Sequence, residues 1–129
     1  TENEIARIVI RCSLELHRQL GPGLLESVYE VLLADFLRDE GLGVERQKPI
    51  AIQFRGKRFD EGFRADLLVA DCVLVELKSI AALARVHKKQ VLTYLRLSGL
   101  RLGLLINFGG ELLKENIERL VNGLDESRP

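Results

Sequence analysis

The sequence has no tryptophan, only two cysteines and no excess of charge of either sign. Lysine plus arginine and aspartate plus glutamate both number 19, which argues against a nonspecific nucleic-acid coat but allows a local basic groove. Aromatic residues make up 5% of the chain, too few for a single-strand binder of the OB type with its broad stacking surface. No apolar run approaches the roughly 20 residues that a membrane span requires.

The cysteines also limit the possible sites. Cys12 and Cys72 lie far apart in apolar surroundings, and the sequence contains no CxxC motif or Cys/His cluster. We therefore expect two buried, reduced thiols and no structural zinc. The chain does not open with a secretory signal pattern, so we expect a soluble, cytoplasmic protein without membrane association.

Apolar residues make up 47% of the 129 residues, enough for the core of one domain spanning residues 1–129. Helical spacing of apolar residues predicts helices over residues 3–20, 24–40 and 81–97. In the second of these helices we place Leu25 and Val28 on the apolar side. Residues 124–129 are interpreted as a frayed tail.

The middle of the chain has the alternation of β-strands. Val44–Phe54, Phe63–Val69 and Cys72–Lys78 have short connections, which predicts an antiparallel meander. Leu102–Phe108 is almost wholly apolar, which is typical of a strand buried on both faces. Residues 111–121 fit either a helix or a strand, and we favour a strand. The order predicts an α/β fold with a mixed sheet flanked by helices.

Two of these strands carry a set of charged residues. Asp66 lies on the second strand, and Glu76 and Lys78 follow on the third strand, on one face because they are two residues apart. If the strands pair as a hairpin, the two carboxylates and the ammonium converge, which is unfavourable in an apolar strand without compensation. A Mg²⁺ ion would provide it, with oxygen ligands from Asp66, Glu76 and the Leu77 carbonyl.

Lys78 would then hold or deprotonate the attacking water, or stabilise developing charge on a phosphorane. The alternative is an ordinary surface salt bridge between Glu76 and Lys78 or Asp66. An aspartate followed by an ExK sequence is a weak signal by itself.

Two helical features add to this pattern. Gln90 and Tyr94 are four residues apart and share one helix face, from which they could orient water, Lys78 or a phosphate. The alternative is an amphipathic boundary with a half-buried tyrosine. Glu26 lies in the first turn of the second helix, where an acidic residue usually only complements the helix dipole, but it could also reach a metal site directly or through water.

The segment Gly23-x-x-Glu26-x-x-Tyr29 resembles the signature of the GxxExxY protein family, a branch of the PD-(D/E)XK nuclease superfamily. The resemblance extends from about Gly21 to Phe108, and it implies a restriction-endonuclease-like αβββαβ core. It includes Glu45-Arg46-Gln47, Arg64-Ala65-Asp66-Leu67, Val75-Glu76-Leu77-Lys78, His87-x-x-Gln90-x-x-x-Tyr94-Leu95 and Asn107-Phe108-Gly109.

By this resemblance Asp66 and Glu76 are metal ligands and Lys78 is the catalytic lysine. Glu26 matches the helix-borne acidic residue of the superfamily, and the pair Gln90 and Tyr94 is similar to the QxxxY element of exonuclease-type members. The sequence departs from the superfamily pattern at one position, since Ala65 stands where a proline commonly precedes the first aspartate.

Two functions remain open at this point. The preferred one is hydrolysis of phosphodiester bonds, with DNA as the expected substrate, Mg²⁺ or Mn²⁺ as cofactor, and a homodimer as the expected assembly. The other is a noncatalytic nucleic-acid-binding or protein-interaction module on the same fold. Two basic clusters could bind phosphates or simply be solvated, and His17 is expected to be solvated. The clusters are Arg55, Lys57 and Arg58, and Arg85, His87, Lys88 and Lys89.

Overall fold

The computed structural model of the chain describes residues 1–124. Three α-helices, five strands and one short 3-10 helix follow in the order α1, α2, β1, β2, β3, α3, β4, 3-10 helix, β5. Their bounds are α1 Glu2–Leu20, α2 Glu26–Asp39, β1 Val44–Phe54, β2 Lys57–Val69, β3 Val73–Lys78, α3 Arg85–Ser98, β4 Leu102–Asn107, the 3-10 helix Leu113–Glu115 and β5 Ile117–Val121.

The strands form one mixed sheet in the order β1-β2-β3-β4-β5. The pairs β1/β2, β2/β3 and β4/β5 are antiparallel, whereas β3 and β4 are parallel. A parallel pair requires a crossover connection, and α3 provides it. The predicted α/β fold and the predicted antiparallel meander of the first three strands are therefore confirmed.

Helices cover both faces of the sheet. Val73, Val75 and Leu77 of β3 pack into the core formed with α1 and α2, whereas Leu74 packs into a second core together with Val91 of α3. The two-residue period of a strand accounts for this division. All six residues of β4 are buried, so the prediction of a strand covered on both faces is confirmed. Glu76 and Lys78 share the face of Leu74, toward α3.

The turn between α1 and α2 brings Glu26 to the end of β3. Helix α1 begins with a capping box between Thr1 and Glu4, and Gly21 caps its C-terminal end. Gly21 has a φ of 71° and Gly23 a φ of 107°, conformations that favour glycine. Ser79, directly after β3, donates a hydrogen bond to the Leu24 carbonyl at 2.6 Å. The turn is thereby attached to the carboxyl end of β3.

Several sequence-based expectations need correction. Leu25 precedes α2 and is 75% exposed, and Val28 is also exposed, because α2 turns its Tyr29 side toward the core. His17 is buried and lies 3.0 Å from the Gly110 carbonyl, so it is not solvated. Cys12 is buried but Cys72 is only half-buried, and both are free thiols.

The element bounds differ most from the prediction in three places. Helix α3 begins at Arg85, four residues after the predicted start at residue 81. Strand β2 begins at Lys57, six residues before the predicted start at Phe63. The prediction was too short because the exposed part of the hairpin has no apolar alternation. Residues 111–116 form a turn and the 3-10 helix, and the favoured strand occupies only Ile117–Val121. The predicted tail at residues 124–129 lies outside the described residues except for Leu124.

Candidate active site

The candidate site lies where β2 and β3 stop pairing. Their ladder runs from Val69 opposite Val73 to Leu67 opposite Val75. Beyond it, the Asp66 amide donates to Glu76 Oε1 at 3.4 Å, and the Leu77 amide donates to Asp66 Oδ2 at 2.8 Å. The two carboxylates thus take over backbone donors that a continued ladder would have satisfied.

The carbonyl group of Leu77 points into the same opening. The Phe108 amide donates to the carbonyl of Lys78, so the backbone groups of Lys78 are directed toward β4. Neighbouring residues of a strand direct their backbone groups to opposite sides, and those of Leu77 are therefore directed toward β2. The amide of Leu77 confirms this direction because it donates to Asp66. Three oxygen-bearing groups, from Asp66, Glu76 and Leu77, surround the point where the strands part.

Glu76 is the most strongly perturbed titratable group of this set. Its residue surface is 7% exposed. Burial, followed by repulsion from Asp66 and a hydrogen bond between the two side chains, raises the pKa of Glu76 to about 9, and the charge of Lys78 opposes this shift. A divalent cation would offset the repulsion between the two carboxylates, and the chemistry of this pair therefore fits Mg²⁺.

Glu26 and Lys78 lie within electrostatic reach of this pair. Partial burial raises the pKa of Glu26, the nearby charge of Asp66 raises it further, and Lys78 lowers it. The charge of Lys78 thus opposes the rise in the pKa of both Glu26 and Glu76. Within residues 1–124, however, no group of three or more histidine, cysteine, aspartate or glutamate residues is close enough to hold an ion together. A metal here would have two carboxylate ligands, and water would complete its coordination, as Mg²⁺ commonly allows.

An ion pair with a buried carboxylate supports Asp66 from the side of α2. Glu30 is buried and pairs with Arg46, with 3.0 Å between Arg46 Nη2 and Glu30 Oε2. The side-chain amide of Gln47 donates to Glu30 Oε1 at 2.6 Å and to Asp66 Oδ1 at 3.3 Å. Gln47 therefore connects the helix to the candidate ligand.

Helix α3 brings Tyr94 to the same face of the sheet. The Tyr94 ring stacks on Phe63 with 3.9 Å between centroids and an angle of 2° between planes. Burial raises the pKa of Tyr94, and Glu76 and Asp66 raise it further through their charges. Gln90 is exposed one turn earlier on the helix. Of the two predicted helical residues, Tyr94 is thus the one that interacts electrostatically with the carboxylates.

Tyr29, the tyrosine of the GxxExxY sequence, has a structural role. The Tyr29 hydroxyl donates to the Gly21 carbonyl at 2.6 Å and accepts from the Leu24 amide at 3.2 Å. Its ring stacks on Phe108 with 4.5 Å between centroids. Tyr29 therefore fixes the turn that leads into Glu26. A cavity of about 580 Å³ lies between this turn and residues 79–81, with Glu26 in its wall.

Asn107 fixes the other side of that cavity. Its side-chain oxygen accepts from the amides of Ile80 and Gly109, and its side-chain nitrogen donates to the Ile80 carbonyl and to Asn116. Gly109 packs so closely that an added Cβ would lie 2.2 Å from the Ile80 carbonyl oxygen. The segment after Lys78 is thus held on the end of β4.

Three supporting residues had no role predicted from the sequence. Gln47 connects Glu30 to Asp66 by hydrogen bonds, and the ring of Phe63 stacks on Tyr94. The spacing of Glu26 and Glu30, four residues apart on one helix, was an available signal for Glu30. His87, considered above as a phosphate contact, accepts the Ala84 amide through Nδ1 at the start of α3 at 2.8 Å.

The fold and the site define an α/β protein of the restriction-endonuclease type, with its acidic pair where two central strands separate. A family model of the PD-(D/E)XK nuclease superfamily matches residues 3–120. The chain therefore belongs to the PD-(D/E)XK nuclease superfamily. No curated protein and no solved structure matches it significantly.

Proposed function

We propose that this protein is a nuclease that hydrolyses phosphodiester bonds with the help of Mg²⁺ or Mn²⁺, and that DNA is its substrate. The proposal rests on one observation: next to Lys78, the carboxylates of Asp66 and Glu76 accept hydrogen bonds from backbone amides where strand pairing stops. Holding a half-buried carboxylate against a buried one is unfavourable for stability, which argues that the arrangement serves a ligand.

In this mechanism Asp66, Glu76 and the carbonyl of Leu77 hold the cation. When bound, the cation supplies Lewis acidity toward a phosphate oxygen and lowers the pKa of a water. The ammonium of Lys78, on the same face as Glu76, orients the attacking water and offsets the negative charge that develops on the phosphate.

Three further residues have supporting roles in the proposal. Glu26 acts through water, because its charge reaches Asp66 while the acidic residues among positions 1–124 do not form a three-carboxylate cluster. Tyr94 and Gln90 share one face of α3, and in this proposal they position water or a phosphate oxygen. Tyr94 is the better supported of the two because its pKa responds to Glu76.

The test is metal-dependent cleavage of single- and double-stranded DNA and RNA by wild type, Lys78→Ala and Asp66→Asn. Removing Lys78 should lower the cleavage rate by about 10²–10⁴-fold while leaving metal binding intact. Lys78→Arg should restore little, because a guanidinium is larger and stays protonated. Asp66→Asn should weaken metal binding in calorimetry.

Matched controls are Lys114→Ala and Asp35→Asn, both exposed and on the side of α1 and α2. Full activity of Lys78→Ala would refute the mechanism. A wild-type protein that binds nucleic acid with a steep salt dependence but cleaves none would support the alternative, a noncatalytic binding module.

Assembly is part of the proposal. One chain carries one candidate site, so cutting both strands of a duplex would require two chains. We therefore propose a homodimer, the commonest oligomer of soluble proteins. Light scattering at micromolar concentration that shows only a monomer would contradict this.

A further inference from the structure

The hairpin of β1 and β2 extends past the candidate active site. Only Leu67–Val69 of the 13-residue strand β2 pair with β3. Because the pairing is antiparallel, the earlier residues of β2 run beyond the carboxyl end of β3, where Lys78 lies. Phe59 precedes Asp66 by seven residues, which corresponds to roughly 20 Å along a strand.

The end of this hairpin, residues 54–59 and here called the hairpin tip, has an unusual composition. Its sequence is Phe-Arg-Gly-Lys-Arg-Phe, with three cations and no acid in a chain of zero net charge. Phe54 is 61% and Phe59 52% exposed, while the other five aromatic residues of the chain are buried or half-buried. The exposed aromatic side chains are therefore concentrated at the basic hairpin tip.

The two phenylalanines lie on one face of the hairpin. Phe59 pairs with Ile52 and Phe54 with Lys57, and directly paired residues share a face. Ile52 packs against the core between the sheet and α3, which is also the side toward which Glu76 and Lys78 point. Phe54 and Phe59 are therefore exposed on the same side of the sheet as Glu76 and Lys78.

The local ion pair does not neutralise the tip. Arg58 Nε lies 3.1 Å from Asp60 Oδ1, but the two side chains are 60% and 93% exposed. Such an exposed pair contributes little to stability, and a phosphate can replace the carboxylate. Arg55, Lys57 and Arg58 are thus accessible to an anionic backbone.

We propose that the hairpin tip binds an unpaired nucleic-acid strand, with bases stacked on Phe54 and Phe59 and phosphates paired with the three cations. Cations that follow the backbone, combined with aromatic side chains that stack on bases, are the elements of single-strand binding sites. In a duplex the base faces are already stacked on each other and offer no surface to a phenylalanine. The proposal rests on the proposed function, because it assumes that the neighbouring site acts on nucleic acid.

The first test is fluorescence anisotropy with a labelled thymidine oligonucleotide and a duplex of equal length, in chelator so that nothing is cleaved. Phe54→Ala and Phe59→Ala should each weaken single-strand binding at least about fivefold, since one stacked base contributes about 1–3 kcal/mol. Duplex binding should change little. The matched control, Leu14→Ala with Leu112→Ala, removes exposed apolar side chains on the opposite side of the sheet and should have no effect.

The second test concerns the cations. Removing Arg55, Lys57 and Arg58 together should reduce the salt slope of single-strand binding by about 2, because each phosphate contact contributes about 0.7. The control is the triple alanine variant of Arg7, Arg18 and Lys114, which should keep the wild-type slope. All six residues are exposed, so folding is not at risk.

The third test uses the absence of tryptophan from the chain. Phe59→Trp places a single fluorophore at the tip, and the thymidine oligonucleotide should quench it by stacking. Leu112→Trp, equally exposed but on the other side, should not be quenched.

The outcomes separate this proposal from the nuclease proposal. Wild-type protein that binds no oligonucleotide, tip variants that bind like wild type, or equal losses on single strand and duplex would each overturn the hairpin-tip site. None of these results depends on cleavage. Conversely, a protein without cleavage activity whose Phe59→Trp fluorescence is quenched would retain the tip site and lose the nuclease proposal.

Discussion

The side-chain amide of Gln47 lies 3.3 Å from Asp66 Oδ1, and Gln47 reaches this position with a φ of 50°. A left-handed conformation is uncommon for a residue other than glycine and unfavourable for stability. The same amide also donates to the buried carboxylate of Glu30. The strained backbone is thus associated with a hydrogen bond that orients a candidate metal ligand.

Gln47→Ala should therefore weaken Mg²⁺ binding by about 10- to 100-fold, the usual effect of removing a residue that orients a ligand. Calorimetric titration of the metal measures this directly. Gln19→Ala, which removes an exposed glutamine from α1, serves as the control. Equal metal affinity of the Gln47→Ala variant and wild type would show that Asp66 does not depend on this contact.

The pKa of Glu76 predicts how stability depends on pH. It lies near 9 in the folded protein and at 4.5 ordinarily, so between these values the folded state holds a proton that the unfolded state has lost. The free energy of unfolding should therefore fall as pH rises from about 4.5 to about 9. Glu76→Gln has no such proton, and its stability in urea should exceed that of wild type most clearly near pH 9. A constant difference between the two proteins across this range would contradict the assignment.

The same pKa predicts that metal binding releases a proton. Glu76 must ionise to bind a cation, so at pH 7 the apparent affinity for Mg²⁺ should rise with pH. Calorimetry in two buffers of different ionisation enthalpy counts the protons released. Wild type should release close to one proton per Mg²⁺ bound. A buffer-independent heat would mean that Glu76 is already ionised or does not bind the ion.

Much of the fold follows from periodicity along the sequence. The two-residue alternation places Glu76 and Lys78 on one face, and the continuous apolar run predicts β4. The separation of β2 from β3 at Asp66 does not follow, because it depends on which backbone donors are taken by side chains. Nor does the length of β2, whose exposed half lacks an apolar face.

Gly109 offers a test of how the loop after β3 is held. Gly109→Ala should destabilise the protein by about 1–3 kcal/mol, because the new methyl group would overlap the backbone of Ile80 at 2.2 Å. Urea denaturation measures the loss. Gly43→Ala is the matched control, since its added Cβ meets nothing within 4 Å. Similar stability of the two variants would mean that the loop moves freely.

We expect the two tyrosines to differ in role, with Tyr29 contributing to stability and Tyr94 to cleavage. Tyr29→Phe keeps the ring stacked on Phe108 but loses the hydroxyl that bonds Gly21 and Leu24. We expect a loss of about 1–2 kcal/mol in stability, because a partly buried amide and a partly buried carbonyl lose their partner. Urea denaturation measures this loss.

Tyr94→Phe keeps its stack on Phe63, so its stability should change less than that of Tyr29→Phe. Burial is the main cause of the raised pKa of Tyr94, but the charges of Glu76 and Asp66 contribute to it, and removal of the hydroxyl should therefore lower the cleavage rate. Cleavage and unfolding are measured on both variants side by side. If Tyr94→Phe cleaves at the wild-type rate, Tyr94 only packs α3 on the sheet, and the proposed positioning of water by its hydroxyl is wrong.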